Sequence, residues 1–182
     1  MTERAFFRPP SAGAPEADDI LRMQDVHLGP VDIYVPDVGT LYCDIDGTLA
    51  DIAHRRRFLE RTPKDWKAFK STMHLDAPMS EVIAAVKRLY AAGWNVVLMT
   101  GRDAASRRVT QDWLKQFDVP YAAIFMRADG DYRRDDLVKA DLMAEAEDAG
   151  FRADLVFDDR DQVVRMWRNS GLTCVQVAEG NF

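Results

Sequence analysis

The chain has 182 residues, the length of one ordinary domain, and such a chain can bury a core without disulfides or metals. Hydrophobic residues make up 47% and charged residues 30% of the sequence, which excludes wholesale disorder. The formal net charge of −6 argues against a protein that coats duplex DNA with cations, although it leaves room for a local basic cleft.

The first segment of the chain, residues 1–38, holds five of the eight prolines. Because prolines with interleaved glycines interrupt regular structure, we predict an irregular N-terminal extension with one short strand at Val31–Val35. Its start, MTERAFFRPP, lacks the apolar core of a secretory signal, and no stretch of the chain approaches the ~18 apolar residues of a membrane span. Two cysteines, Cys43 and Cys174, make no disulfide framework. These features predict a cytoplasmic protein without membrane contact.

From residue 39 onward, short apolar runs alternate with segments of helical spacing. The apolar runs are Leu41–Ile45, Val96–Met99, Ala122–Met126, Leu155–Phe157 and Thr173–Val177. The segments between them predict helices over 82–89, 109–117, 136–149 and 161–169. This alternation is typical of a parallel sheet with helices on both faces. We therefore predict that residues 39–182 form one α/β domain with a three-layer Rossmann-like fold, in which ligands bind beyond the carboxyl ends of the strands.

Two acids follow the first predicted strand in the sequence Asp44-Ile45-Asp46-Gly47-Thr48. An extended chain puts Asp44 and Asp46 on the same side, roughly 6–7 Å apart. Two like charges this close are unfavourable unless a cation or a proton relieves them. We therefore expect the two carboxyls to titrate as a coupled pair.

Polar residues also follow the other predicted strands. Thr100, Gly101 and Arg102 form a plausible phosphate cradle after the second strand. The pair Asp158-Asp159 follows the fourth strand, and with Asp44 it offers the hard oxygen ligands that suit Mg²⁺. Between these strands, a polar run extends from Arg127 through Arg133 and Asp135 to Lys139, whose stem could reach back to the carboxylates.

Taken together, these residues resemble the haloacid dehalogenase superfamily of phosphotransferases, with its D-x-D-G-T motif, strand-ending Thr, Lys and Asp-Asp in that order. The resemblance implies an aspartyl-phosphate mechanism with Asp44 as nucleophile and Asp46 as general acid, then base. To act as an acid, Asp46 needs a raised pKa, which we expect from crowding by the neighbouring carboxylates. The resemblance also implies that Thr100 and Lys139 hold the phosphoryl oxygens. The implied Mg²⁺ ligands are Asp44, Asp46, Asp158 and Asp159. This superfamily often inserts a cap after the first strand, which here would be a small cap segment at residues 51–78.

The chain from Leu41 onward also looks like the 3′-phosphatase domain of bacteriophage polynucleotide kinase-phosphatase. The most specific runs are Gly130-Asp-x-Arg133-x-Asp135-Asp136-x-Val-Lys139 and Asp158-Asp-Arg-x-Gln162-Val-Val-x-Met166-Trp-Arg168. The resemblance implies removal of 3′-phosphates from DNA or RNA ends in a host cytoplasm. It makes Arg102 a further catalytic residue, and the predicted substrate-binding residues are Gly101, Arg55, Arg127, Arg133 and Asp135. No G-x-x-x-x-G-K-[ST] loop of a kinase occurs, so we expect any 5′-kinase and ligase to be separate proteins.

The segment 51–70 is basic within an acidic chain, with seven Lys or Arg against three Asp or Glu. Trp66 and Phe69 add aromatic surface to this segment. Basic groups interleaved with aromatic rings suit a single-stranded end, where charge follows the backbone and rings stack on bases. In the alternative interpretation, Trp66, Phe69 and Met73 form the apolar face of a helix that packs on the core.

Two other functions remain open at this stage. A 5′(3′)-nucleotidase or a small-metabolite phosphatase would use the same core residues, with the cap closing over a small substrate. A catalytically idle module that binds nucleic-acid ends would need none of the acids, and the intact set of Asp44, Asp46, Lys139, Asp158 and Asp159 argues against it.

Overall fold

The computed structural model describes residues 39–180, so the predicted extension at 1–38 and its strand at Val31–Val35 lie outside the described residues. The strands are β1 Thr40–Cys43, β2 Ala50–Asp51, β3 Ala77–Pro78, β4 Asn95–Asp103, β5 Ala123–Arg127, β6 Leu155–Asp158 and β7 Cys174–Gln176. The helices are α1 Ala53–Arg56, α2 Trp66–Ser71, α3 Ser80–Ala91, α4 Arg107–Gln116, α5 Asp135–Asp148 and α6 Asp161–Asn169. Among these residues, no helix is long and apolar enough to cross a membrane.

The central sheet of the described residues has five strands in the order β5-β4-β1-β6-β7, and every neighbouring pair is parallel. Strand β1 lies in the middle, where Tyr42 pairs with Val97 on one side and Val156 on the other. The strand order reverses beside β1, which makes its carboxyl end the expected ligand site of such a sheet. All five predicted strands are present, and the predicted α/β fold class is confirmed.

Helices cover both faces of the sheet. Because successive side chains of a strand point to opposite faces, Leu41 and Cys43 pack with α3 and α4, whereas Tyr42 packs with α5 and α6. The first core layer includes Val86 and Trp113, and the second is built around Leu142, Val164 and Trp167. This alternation directs Asp44, the residue after Cys43, toward the face that carries α5.

A two-stranded antiparallel ribbon follows β1, with Ala50 opposite Pro78 and Asp51 opposite Ala77. Residues 52–76 lie between its strands and contain α1, α2 and a short 3₁₀ turn, Met73–Leu75. In α2, Asp65 accepts a hydrogen bond from the backbone N–H of Ala68 at 2.9 Å, which satisfies one of the free donors of the first turn. We refer to residues 51–78 as the cap segment.

The two aromatic residues of α2 differ in burial: Phe69 packs in the core, whereas Trp66 is exposed and could contact a ligand. Phe69 and Met73 are buried, at 8% and 3% exposure, and Phe69 belongs to the core layer that faces α3 and α4. Trp66 is 52% exposed and meets Phe69 edge to face, with ring centroids 5.9 Å apart. The apolar face of α2 is therefore part of the core, while Trp66 keeps half of its surface available to a ligand.

Candidate active site

Three carboxylates from two neighbouring strands converge at the carboxyl edge of the sheet. Asp44 directly follows β1, Asp158 ends β6, and Asp159 follows it. All three residues are buried, and each offers an oxygen within 4.8 Å of the others. The neighbouring parallel strands β1 and β6 end side by side, so acids distant in sequence meet at one point.

Lys139 is the cation that faces this cluster. It lies one turn into α5, and its ammonium Nζ is 2.7 Å from Asp158 Oδ2 and 2.9 Å from Asp44 Oδ1. Although burial opposes its charge, Asp158 and Asp44 raise the pKa of Lys139, so the lysine is protonated. Burial raises the pKa of Asp44, and Asp158 and Asp159 add to this shift against the opposing effect of Lys139.

Asp158 and Asp159 have different surroundings. Asp158 Oδ2 accepts hydrogen bonds from Lys139 and from the indole N–H of Trp167 at 3.0 Å, and its Oδ1 accepts the backbone N–H of Arg160 at 3.1 Å. Asp159 Oδ1 accepts a long hydrogen bond of 3.4 Å from the hydroxyl of Thr48, while Asp159 Oδ2 is buried without a hydrogen-bond partner. Burial and the neighbouring Asp158 raise the pKa of Asp159 to about 6. A buried carboxylate oxygen without a donor is costly unless a cation or proton meets it.

Gly47 makes room for the Asp159 carboxylate. Its φ of +90° lies in the region that side chains avoid, and a Cβ at this position would sit 2.1 Å from Asp159 Oδ2. The three acids and Lys139 together leave a surplus of negative charge in a buried space. A divalent cation with oxygen ligands, such as Mg²⁺, fits both the surplus charge and the oxygen without a donor.

Asp46 faces a different set of partners from the one predicted. Its Oδ1 accepts hydrogen bonds from Arg55 Nη2 at 2.7 Å and from Arg102 Nε at 2.8 Å. Although burial opposes the shift, Arg102 and Arg55 lower the pKa of Asp46 to about 2. The predicted coupled pair with a raised pKa for Asp46 is therefore wrong, and the described contacts do not bring its carboxylate into the cluster of Asp44, Asp158 and Asp159.

The Asp46 carboxylate lies away from the acid cluster because the chain turns immediately after β1. The strand ends at Cys43, and the carbonyl of Ile45 accepts the backbone N–H groups of Leu49 and Ala50 at 2.9 and 2.8 Å. The strand alternation therefore does not continue to Asp46. Instead of sharing one face with Asp44, its side chain is directed toward the cap segment.

Asp76, a buried acid of the cap segment, holds both arginines. Its Oδ1 accepts Arg55 Nε at 2.7 Å and pairs with His54 Nε2 at 2.8 Å, while its Oδ2 accepts Arg55 Nη2 and Arg102 Nη2, each at 2.8 Å. Asp76 is 2% exposed, and Arg55 and Arg102 are also buried. Two guanidinium groups are thus fixed between two carboxylates, and one of these, Asp46, faces the cavity.

The residues predicted to form a phosphate cradle, Thr100, Gly101 and Arg102, contact other groups of the protein. Arg102 is buried and donates to Asp46, to Asp76 and, at 3.3 Å, to the hydroxyl of Thr110. The Thr100 hydroxyl is buried and accepts the backbone N–H of Arg102 at 3.2 Å. A Cβ on Gly101 would lie 2.4 Å from Asp135 Oδ1, so glycine permits the close approach of β4 to α5. In this structure Arg102 positions Asp46.

The remaining predicted residues lie on or beside the loop between β5 and α5: Arg127 ends β5, Arg133 lies on the loop, and Asp135 begins α5. Arg127 pairs with Asp135 at 2.9 Å and donates to the backbone carbonyls of Gly101, Asp131 and Arg133 at 2.9, 3.2 and 2.8 Å. Arg133 is half exposed and pairs with Asp131 and Asp141. Arg127 and Asp135 therefore fix the loop, whereas Arg133 stands at its rim.

A cavity of about 940 Å³ joins these elements. Of the residues predicted from sequence, it is lined by Asp44, Asp46, Gly101, Arg102, Arg127, Arg133, Asp135 and Asp159. The other predicted site residues are buried and do not line the cavity; they are Arg55, Thr100, Lys139 and Asp158. The sequence interpretation missed Asp76, the indole donor Trp167, and Tyr132 on the cavity wall. The sequence interpretation assigned Trp167 to the core, where it is indeed buried, and did not foresee its hydrogen bond to Asp158. No spacing signal marks Asp76 or Tyr132.

Solved structures with a similar arrangement of strands and helices identify the fold. A haloacid dehalogenase-like hydrolase of Streptococcus pneumoniae superposes with a TM-score of 0.54 at 14% identity, covering 75% of this chain and 83% of the other. A D,D-heptose 1,7-bisphosphate phosphatase of B. bronchiseptica gives a TM-score of 0.52 at 20% identity, covering 75% of this chain and 79% of the other. The chain therefore has the haloacid dehalogenase fold.

The sequence defines the family more narrowly. Residues 39–182 match the model of the polynucleotide kinase PNKP phosphatase domain, so the chain belongs to this family and is a phosphoester hydrolase of the haloacid dehalogenase superfamily. A protein of Autographa californica nuclear polyhedrosis virus, provisionally named a bifunctional polynucleotide kinase/RNA ligase, is 33% identical over 131 residues, covering 70% of this chain and 17% of that protein. A chain of the Pnkp1/Rnl/Hen1 RNA repair complex is 31% identical with a TM-score of 0.69, covering 80% of this chain and 44% of the other. The chain thus spans less than half the length of both relatives.

Proposed function

We propose that the chain removes 3′-phosphates from polynucleotide ends, DNA or RNA, by a Mg²⁺-dependent reaction through a phosphoaspartate at Asp44. The observation that carries the proposal is the convergence of Asp44, Lys139 and the unpaired Asp159 oxygen at one edge of the sheet. The proposed catalytic unit is residues 39–182, with residues 51–78 as its cap and residues 1–38 as an extension.

The Asp44 carboxylate carries the first step. Lys139 holds its Oδ1, which leaves Oδ2 to attack phosphorus while the bond between phosphorus and the 3′-oxygen breaks. A water molecule then attacks the phosphorus of the phosphoaspartate, which releases inorganic phosphate and restores Asp44. Mg²⁺ bound by Asp44 and Asp159 would supply positive charge that offsets the repulsion between the carboxylate and the phosphate dianion. Asp158, with its oxygens on Lys139, Trp167 and Arg160, orients the lysine.

Asp46 is the proposed proton-transfer group. Arg55 and Arg102 keep it ionised in the free protein, which is the state that accepts a proton from water in the second step. In the first step the leaving 3′-oxygen takes its proton from Asp46. Asp46 binds that proton from solvent when an approaching phosphate dianion raises its pKa by like-charge repulsion. The two arginines fix the direction of the carboxylate in both steps.

The relatives support polynucleotide ends as the substrate class. The names of the viral protein and of the RNA repair complex both refer to the processing of nucleic acids. The cavity wall also carries basic side chains suited to phosphates, from Arg56, Lys70, Arg127, Arg133, Arg134 and Arg160. We propose that the 5′-kinase and ligase activities act as partners of this phosphatase rather than within residues 39–182.

We expect a 3′-phosphorylated oligonucleotide to be dephosphorylated at least about tenfold more efficiently, by kcat/KM, than 5′-phosphorylated oligonucleotides or free nucleoside monophosphates. The reason is that contacts with the strand add transition-state binding that a mononucleotide cannot make. Phosphate release from each substrate is measured under identical conditions. A preference for free monophosphates would point to the nucleotidase alternative, and binding of the 3′-end without turnover would point to the end-binding module.

Removal of the metal should abolish turnover, and addition of Mg²⁺ should restore it. Binding also has a readout that does not depend on activity, because a cation at the buried acids stabilises only the folded chain. We expect Mg²⁺ to raise the melting temperature of wild-type protein and to have a much smaller effect on Asp159→Asn, which removes the carboxylate without a donor. An exposed control, Asp112→Asn, should respond as the wild type does. Equal shifts in the wild type and Asp159→Asn would place the metal elsewhere.

A further inference from the structure

Two exposed aromatic side chains line the cavity that contains Asp44. Among residues 39–180, the exposed large hydrophobic side chains are Trp66, Leu75, Tyr132, Leu137 and Val175. Both aromatic members of this set, Trp66 at 52% and Tyr132 at 93% exposure, belong to the cavity wall. A phosphate group needs donors and cations, so aromatic surface in the cavity is suited to another part of the ligand.

Tyr132 is presented by a loop with a fixed backbone. Arg127 Nη1 donates to the carbonyls of the residues on either side of it, Asp131 at 3.2 Å and Arg133 at 2.8 Å. Asp131 Oδ1 in turn accepts the backbone N–H of Arg133 at 2.9 Å. The loop turns at Gly130, whose φ is +77°. An exposed ring on a backbone held in this way is a preorganised surface, because little conformational entropy is lost when a ligand covers it.

Trp66 belongs to the cap segment, and neighbouring side chains of that segment contact its ring. Its ring rests against Phe69, and the ammonium of Lys64 lies 5.9 Å from the ring centroid. Lys70, on the same helix, forms an ion pair with Asp103 at the end of β4, which ties α2 to the central sheet. The chain thus brings aromatic rings to the cavity from two separate elements, α2 and the loop before α5.

We propose, on the basis of the proposed function, that Tyr132 and Trp66 form a stacking subsite for nucleobases at the 3′-end of the strand whose phosphate meets Asp44. Every base has a flat face that can stack on an aromatic ring. The subsite therefore recognises that a base is present but does not distinguish one base from another. The neighbouring Arg133 and Arg134 carry charge suited to the phosphates of the same strand. This subsite would distinguish a polynucleotide end from a small phosphomonoester.

The test compares binding of two labelled oligonucleotides with identical 3′-phosphates, one with an ordinary terminal nucleotide and one with an abasic terminal nucleotide. Binding is measured by fluorescence anisotropy on the Asp44→Asn background, and KM is measured on the active protein. We expect Tyr132→Ala and Trp66→Ala each to weaken binding of the ordinary end by roughly tenfold and to leave binding of the abasic end much less changed. Tyr132→Phe, which keeps the ring, should restore binding. Leu137→Ala removes an exposed apolar side chain outside the cavity wall and is the matched control.

Each outcome decides between the two proposals. Equal losses on ordinary and abasic ends, or no loss in either alanine variant, overturn the stacking subsite while phosphate release from 3′-ends still supports the proposed function. Absence of phosphate release from any 3′-end by the wild-type protein overturns the proposed function. In that case a base-dependent loss in Tyr132→Ala still supports the subsite, now as part of an end-binding module.

Discussion

Replacing Asp44 by Asn should reduce turnover by a factor on the order of 10⁴–10⁶, the loss typical when the nucleophile of a covalent hydrolase is removed. The amide that replaces the carboxylate cannot form an acyl phosphate, although its oxygen can still accept from Lys139, which lies 2.9 Å from Asp44 Oδ1. After acid quenching of a reaction with labelled substrate, the wild-type protein should carry labelled phosphate and the variant should carry none.

The same substitution should leave the fold intact and raise its stability at neutral pH or leave it unchanged. Burial raises the pKa of Asp44, which means that the fold disfavours the charged carboxylate. A neutral side chain removes the repulsion with Asp158 and Asp159. The ion pair of Asp44 with Lys139 is lost, but Lys139 keeps its ion pair with Asp158, so the free energy of unfolding should not fall. Asp112→Asn, at an exposed position, is the control for both measurements. Wild-type turnover in Asp44→Asn would show that another group attacks the phosphate.

Most of the fold was predictable because its strands are buried on both faces. Such strands read as uninterrupted apolar runs, and runs such as Leu41–Ile45 and Leu155–Phe157 stand out from the polar helices between them. The convergence of Asp44 with Asp158 and Asp159 follows from the same pattern, because parallel strands end at one edge. The weakest predictions were boundaries: β1 ends at Cys43 rather than at Ile45.

This difference in the boundary accounts for the error at Asp46. The prediction extended the strand alternation through Asp46, whereas the turn at Ile45 redirects the chain. The partners of Asp46 are Arg55 and Arg102, the latter 56 positions away, and no local pattern relates them. The direction of the shift in the pKa of Asp46 depends on these contacts. Crowding by other acids would raise this pKa, whereas the two guanidinium groups lower it.

The cap segment shows a further limit of sequence reasoning. In the sequence, Asp76 looks like one of many acids, because it belongs to no motif and follows none of the predicted strands. Its importance depends on burial, which brings it to Arg55 and Arg102 at the same time. A charged side chain at 2% exposure requires partners, but the sequence alone does not reveal that this acid is buried.

Removing the Asp76 carboxylate should produce the second large effect. Asp76→Ala leaves Arg55 and Arg102 buried with Asp46 as their shared acid, and breaking a buried ion pair costs about 3–5 kcal/mol of unfolding free energy. For a chain of this length the melting temperature should fall by roughly 10 °C. The backbone carbonyl of Asp76, which accepts the indole N–H of Trp113 at 2.8 Å, is unaffected by the substitution.

The catalytic consequence should be separable from this loss of stability. Asp76→Asn keeps the size of the side chain and one acceptor oxygen, so we expect it to be more stable than Asp76→Ala. It still loosens the two arginines that direct Asp46, and a misplacement of about 1 Å in a reacting group can cost on the order of 10² in rate. Because Asp46 acts in the chemical step and not in strand binding, kcat should fall while KM changes little. Both constants are measured well below the melting temperature of each variant.

A matched control lies in the same cap segment. Asp51→Asn changes an exposed acid of the β2–β3 ribbon whose carboxylate accepts the backbone N–H of Ala53 at 2.8 Å, a bond that asparagine can replace. We expect wild-type kcat and melting temperature from it. If Asp76→Asn lowers the melting temperature but leaves kcat unchanged, Asp76 merely holds the cap in place. If kcat falls with KM preserved, the effect passes from Asp76 through Arg55 and Arg102 to Asp46, the route that the hydrogen bonds describe.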